Sequence, residues 1–113
     1  CNVKYLYIMK YLITESQFDN IIFDYLDSQK FFALKDRGDI ELYPSETHWR
    51  EHLSYAIIAF HNKQQDCYVS CSLLREISNF FPIPLEDSLD VVRKWFSHNY
   101  AKVDDVYSDC GAD

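Results

Sequence analysis

The sequence predicts a small α+β domain in which a mostly antiparallel sheet of four or five strands packs with about three helices. Three segments carry apolar residues at the spacing of one helical face, and shorter strand-like segments lie between turn-forming residues. The chain has 113 residues, of which 48% are hydrophobic and 17% aromatic, so it can bury a core of its own. A single domain is the expected organisation at this length.

The beginning of the chain predicts an extension followed by a strand. Met9 is the only methionine, and the segment that it opens looks like a natural start of translation. We therefore expect residues 1–8 to be an upstream extension, residues 9–107 to form the domain and residues 108–113 to be a frayed tail. Residues 10–13 are predicted to form a short strand.

The first predicted helix begins after Thr14, with Gln17 at the capping-box position three residues later. Its apolar face consists of Phe18, Ile21, Ile22, Tyr25 and Leu26. Residues 31–35 and 40–43 are predicted to form a hairpin, because Gly38 lies in a polar tetrad between the two apolar runs.

Residues 46–60 allow two interpretations. As one helix, they place the apolar side chains from Trp49 to Phe60 along a single stripe. We favour a loop followed by a strand, because β-branched and aromatic residues crowd the second half of the segment. This interpretation predicts a polar turn over residues 61–66 and a further strand at residues 67–70, which complete a second hairpin.

A second helix is predicted to follow, capped by Ser70 or Ser72. Its predicted buried face consists of Leu73, Leu74, Ile77, Phe80 and Phe81. Pro82 and Pro84 end this helix, since the residue before a proline disfavours helical geometry.

The third predicted helix begins near Glu86 and has acidic residues early and basic residues late, as the helix dipole favours. Its predicted inward residues are Leu85, Leu89, Val92 and Phe96, with Trp95 at the edge of the buried face. Residues 102–107 are predicted to form a last short strand.

Charge and composition exclude several kinds of partner and compartment. The net charge is −7, and an acidic chain repels the phosphates of nucleic acids and of anionic membranes. The apolar runs are far shorter than the roughly 20 residues of a membrane span, and the start of the chain does not read as a signal peptide. We therefore predict a cytoplasmic protein whose four cysteines are reduced thiols.

Three segments together resemble a group of phage proteins. The run from Met9 to Gln17, the "IS-x-FF" pattern ending at Phe81 and the "DS-x-x-V-[IV]-x-x-W" pattern ending at Trp95 are similar to those of short uncharacterised proteins of marine tailed phages, seen in environmental sequence. The resemblance implies a phage origin, with action in the host cytoplasm. It implies no catalytic residue.

One short motif raises the possibility of metal chemistry. His48, Glu51 and His52 match H-x-x-E-H, the inverted zinc-peptidase motif, and Cys71 offers a third ligand. The motif works only on a helix and beside a substrate cleft, and peptidases of this kind are far larger than this chain. The alternative is a surface loop that happens to carry histidines. Our candidate metal ligands are thus His48, His52 and Cys71. We predict no cofactor and no catalytic residue, and we favour a protein that is not an enzyme.

The two helices on either side of the segment from Pro82 to Pro84, which we call the proline corner, also resemble a helix-turn-helix. A recognition helix presents basic or amide side chains to the bases, whereas the third helix starts with Glu86 and Asp87. DNA binding is therefore the second alternative, after metal binding. The main prediction is a non-catalytic protein-binding or accessory module that binds another protein or itself, because so many aromatics predict exposed apolar surface.

Overall fold

The computed structural model describes residues 5–8 and 11–110, with side chains described for residues 17–110. Within these residues the strands are β1 (Tyr5–Ile8), β2 (Tyr11–Thr14), β3 (Phe32–Asp36), β4 (Asp39–Tyr43), β5 (Ile58–His61), β6 (Asp66–Val69) and β7 (Asp105–Ser108). The helices are α1 (Glu15–Ser28), α2 (Glu46–Arg50), α3 (Cys71–Phe80) and α4 (Leu85–Asn99).

The main sheet has five strands in the order β3-β4-β5-β6-β7. The first three pairs are antiparallel and β6 pairs with β7 in parallel, so the predicted α+β class and mostly antiparallel sheet are confirmed. The parallel pair follows from connectivity, because α3 and α4 carry the chain back across the sheet between the two strands. Strands β1 and β2 form a separate antiparallel pair.

The predicted hairpin between β3 and β4 has a two-residue turn. Arg37 and Gly38 both have positive φ, at 54° and 89°, which two-residue turns between twisted strands require. A Cβ on Gly38 would lie 2.6 Å from Nδ2 of Asn62, so any other residue would have to displace the Asn62 side chain as well as adopt the positive φ.

The three long helices cover one face of the sheet. The buried residues on that face come from successive strands, and Ile40, Phe60 and Cys67 lie beside one another in register. The ring of Phe60 lies 5.5 Å from the ring of Phe96 on α4. The main buried core comprises Phe18, Ile22, Leu26, Ile40, Leu42, Ile58, Phe60, Cys67, Val69, Leu73, Leu74, Ile77, Val91, Val92, Trp95, Phe96 and Val103.

Two aromatic residues differ from the prediction in how deeply they are buried. Phe80, predicted to be buried, is 69% exposed, because it lies at the last residue of α3, where the chain turns away. Trp95, predicted at the edge, is only 3% exposed, and its Nε1–H donates to Oδ1 of Asp27 on α1 at 2.8 Å. Burial of the indole is favourable because its polar atom has this partner. Two further residues on predicted buried faces, Ile21 and Leu85, are also exposed.

The Ser70 cap and the proline corner follow the sequence closely, whereas the side chain of Thr14, the predicted cap of α1, lies outside the described residues. Ser70 caps α3, and its Oγ accepts a hydrogen bond from the Ser72 backbone N–H. After the corner, α4 packs against α3, and the Ser78 and Ser88 hydroxyls lie 3.0 Å apart across the two helices. Ser88 is fully buried, and its Oγ also donates to the Pro84 carbonyl, so its hydroxyl is satisfied.

Residues 46–60 form a short helix, a loop and a strand. The single-helix interpretation is wrong, because α2 ends at Arg50 and β5 begins at Ile58. The favoured interpretation foresaw the strand and the hairpin with β6, but not the one-turn helix. Ser45 starts this helix by accepting the His48 backbone N–H on its side-chain oxygen.

Strand residues lie beyond both ends of the predicted domain of residues 9–107. Tyr5–Ile8, inside the predicted extension, forms β1 and pairs with β2. Ser108, the first residue of the predicted tail, ends β7, and Cys110 is held by a disulfide, so these two residues belong to the fold. The rest of the predicted tail, residues 111–113, lies outside the described residues.

Candidate functional site

The histidine motif does not form the arrangement that a helical zinc site requires. His48 lies on α2, with Nδ1 2.7 Å from the Oγ of Ser45. The helix ends at Arg50, and His52 has a φ of 55°, which is outside helical geometry. The two histidines are therefore not one turn apart on a common helix, and Glu51 lies at the helix end between them.

Cys71 lies in a different place from both histidines and is bonded to Cys110. Among the described side chains, one group of three or more His, Cys, Asp or Glu residues brings its ligand atoms within 4.8 Å of one another, and it consists of Cys71, Asp109 and Cys110. The predicted trio of His48, His52 and Cys71 is thus not brought together.

The prediction of reduced thiols is wrong for Cys71 and Cys110, which form a disulfide across 39 positions of sequence. The fold, rather than local spacing, brings the end of β7 to the start of α3. Cys67 is a free thiol, and it is fully buried under the helices. Burial, followed by the charge of Asp66, raises the pKa of Cys67 to about 12, so this thiol is inert at neutral pH.

The sheet face opposite the long helices carries a row of residues in cross-strand register. This tyrosine row consists of Leu34, Glu41, Ala59, Tyr68 and Tyr107, one residue from each strand of the main sheet. Because side chains alternate along a strand, these residues point away from the buried core. Tyr68 is 50% and Tyr107 45% exposed, so their rings lie open to solvent.

At the β6–β7 end of this face, three aromatic rings contact one another and form a continuous aromatic surface. The rings of Tyr68 and Tyr107 lie 5.2 Å apart on neighbouring strands, and the ring of His61 meets Tyr68 edge-on at 5.7 Å. Nδ1 of His61 lies 3.0 Å from Oδ1 of Asp66, which fixes the imidazole. Antiparallel sheets often leave one face to water, but that face is then usually polar rather than aromatic.

A second row, two positions along each strand, is acidic. This aspartate row consists of Asp36, Asp39, His61, Asp66 and Asp105. The two rows together hold five carboxylates and no Lys or Arg. The charge of Asp105, with smaller effects of burial, Asp66 and Tyr68, raises the pKa of Tyr107, as expected in a negative field. The nearest cation in sequence, Arg37, lies 3.9 Å from Asp36 in the turn.

The opposite end of the face is bordered by α2 and the loop after it. Trp49 on α2 stacks on Phe32 of β3 with ring centroids 5.5 Å apart. A cleft of about 500 Å³ opens there, lined by Tyr43, Trp49, His52, Leu53, Ser54 and Tyr55. Leu53 and Tyr55 are strongly exposed, so apolar surface continues from the sheet onto this loop.

No protein-family model, curated protein or solved structure matches this chain. The geometry of the face is therefore the basis for its functional interpretation. In the described part of the chain, no helix combines the length and apolar composition needed to cross a bilayer.

The sequence carried part of the signal for this face. Tyr68 lies between Cys67 and Val69, both buried, so alternation within β6 alone predicts an outward tyrosine. Its neighbour Tyr107 could not be found in this way, because the two tyrosines meet through the parallel pairing of β6 with β7.

Proposed function

We propose that this protein is a non-catalytic binding module whose outer sheet face binds a basic segment of a partner protein. The observation that carries the proposal is the exposed pair of Tyr68 and Tyr107, which lies directly beside the carboxylates of Asp66 and Asp105. Following the resemblance to phage proteins, we further propose a phage-encoded accessory role in the host cytoplasm.

The chemistry of the face suits arginine and lysine side chains. A cation over an exposed aromatic ring contributes about 0.5–1 kcal/mol, and guanidinium groups also pair with carboxylates. Asp105 is exposed, whereas Asp66 already faces His61. The negative face would also steer a basic partner toward the tyrosines and raise its association rate.

The same surface argues against nucleic acid. Proteins that stack bases on aromatic side chains combine those rings with a positively charged groove, which tracks the phosphates. Here the rings lie among carboxylates. The two helices at the proline corner also argue against DNA binding, because Glu86 and Asp87 place negative charge in the first turn of α4, where a recognition helix would meet the DNA.

The test measures binding of a fluorescent arginine-rich peptide by anisotropy over a series of salt concentrations. Replacing Tyr68 and Tyr107 together by alanine should weaken binding about tenfold, because two exposed cation–π contacts together contribute about 1–2 kcal/mol. Phe80→Ala is the control, since it removes an exposed ring from the helical layer. Duplex DNA is the second ligand and should not bind.

Three results would contradict the proposal. One is equal peptide affinity in the wild type and the tyrosine double variant, and another is duplex DNA binding that weakens with salt. The third is a dimer, seen by sedimentation, that dissociates in the double variant, because it would assign the face to self-association instead.

A further inference from the structure

The end of β7 and the start of α3 bring three metal-ligating side chains together. Cys71 is the first residue of α3, and Asp109 and Cys110 follow β7. The ligand atoms of all three lie within 4.8 Å of one another. Asp109 is held in place because its Oδ1 accepts the Cys71 backbone N–H at 2.7 Å. The Cys110 backbone N–H is likewise fixed, since it donates to Oγ of Ser108 at 2.8 Å.

We propose that Cys71, Cys110 and Asp109 form a redox-dependent binding site for a thiophilic divalent cation such as Zn²⁺. In the oxidised protein the two sulfurs are joined in the disulfide. In the reduced protein the same sulfurs, as thiolates, and the Asp109 carboxylate bind the cation. The proposal does not depend on the docking function proposed for the tyrosine row.

The reduction step needs a dithiol as the co-reactant. The dithiol gives two electrons and two protons, the bond between the Cys71 and Cys110 sulfurs breaks, two thiols form, and the dithiol becomes a disulfide. The cation then replaces the two thiol protons, which go to solvent, and forms two metal–sulfur bonds. A reducing cytoplasm would maintain the thiol form.

The backbone geometry suits both states. Zinc–sulfur bonds of about 2.3 Å in a tetrahedral site place the two sulfurs roughly 3.8 Å apart. The Cα atoms of Cys71 and Cys110 are 5.0 Å apart, so rotation of the two side chains can open the sulfurs to that separation. Only one oxygen of Asp109 is engaged by the backbone N–H, which leaves the other for the metal.

Two further features favour metal binding here rather than at the histidines. Cys71 begins a helix of ten residues, and a helix N-terminus stabilises the thiolate that a metal needs. Cys110 also lines a cleft of about 530 Å³ between α3, α4 and β7, which gives an ion and a reductant access to this cysteine. Three protein ligands leave one position of a tetrahedral site to water.

The test uses Co²⁺ as a spectroscopic substitute for Zn²⁺ on the full chain. Protein reduced with dithiothreitol and desalted without oxygen should take up one Co²⁺ per chain and show a thiolate-to-cobalt charge-transfer band, which Zn²⁺ should abolish by displacement. The oxidised wild type should show no band. Asp109→Asn should weaken Co²⁺ binding at least tenfold, because it replaces a charged ligand.

The control variants separate this site from other cysteines and from the histidine motif. His48→Ala and Cys67→Ser should keep the band, whereas Cys71→Ser should lose it while keeping a native circular dichroism spectrum. Absence of the band in reduced wild-type protein would overturn the proposal, and so would its persistence in Cys71→Ser or its loss in His48→Ala. Peptide binding by the tyrosine row is unaffected by any of these results.

Discussion

Reducing the Cys71–Cys110 disulfide should strongly destabilise the fold. The bond closes a loop of 39 residues, and the loss of chain entropy in the unfolded state corresponds to about 4 kcal/mol at 25 °C. Unfolding entropy of about 2.1 cal/mol/K per residue gives about 240 cal/mol/K for a chain of 113 residues. The melting temperature should therefore fall by about 17 °C on reduction.

The assay is thermal unfolding followed by circular dichroism, with and without dithiothreitol, in the presence of a chelator. A thiol titration confirms that two further thiols have appeared. Cys71→Ser is the matched control: it should melt near the reduced wild type, and the reductant should change it no further. A fully reduced wild type that melts within about 4 °C of the oxidised protein would refute the entropic reasoning, since this shift corresponds to only about 1 kcal/mol.

Three further predictions concern the core and the helix pair α1–α4. Because the pKa of Cys67 is raised from 9.0 to about 12 in the folded protein, the unfolded state releases its proton first, and stability should fall as pH rises from about 9 to 12; urea unfolding should show a smaller loss in Cys67→Ala than in the wild type. Trp95→Phe should cost about 1 kcal/mol in urea unfolding, because the hydrogen bond to Asp27 is lost, whereas Trp95→Ala should cost about 3–5 kcal/mol; no measurable cost in Trp95→Phe would contradict the role of the hydrogen bond. Burial opposes ionisation of Asp90, but hydrogen bonds from Arg93 and Lys94 outweigh it and lower the pKa, so this contribution should disappear as pH falls below about 4, and Lys94→Met should reduce the acid sensitivity.

Local patterns accounted for most of the helices and strands. The Ser70 cap, the Gly38 turn and the proline corner each depend on a few neighbouring residues, and all three appear as expected. Helical periodicity was less reliable at the edges of faces. It placed Phe80 inside and Trp95 at the margin, because spacing alone reveals neither where α3 stops nor that Asp27 on another helix accepts the indole N–H.

The features that support the two proposals lie in long-range geometry. Cys71 and Cys110 are 39 positions apart, and their spacing in the sequence gives no hint of a pairing that only the fold reveals. The adjacency of Tyr68 and Tyr107 likewise follows from the crossover that makes β7 parallel to β6. Sequence reasoning could identify both tyrosines as strand residues, but not as one surface.

The disulfide also determines how the molecule would respond to mechanical load. A force applied at the C-terminus reaches Cys110 and passes through the sulfur bridge directly to Cys71, so α3, α4 and β7 carry none of it. The chain from Cys71 to Cys110 therefore does not contribute to the extension of the protein while the disulfide is intact. At roughly 3.3–3.6 Å per extended residue, the 39-residue loop stores about 130 Å of chain that stretching releases only once the bridge is reduced. Single-molecule extension with and without a dithiol should show this difference directly.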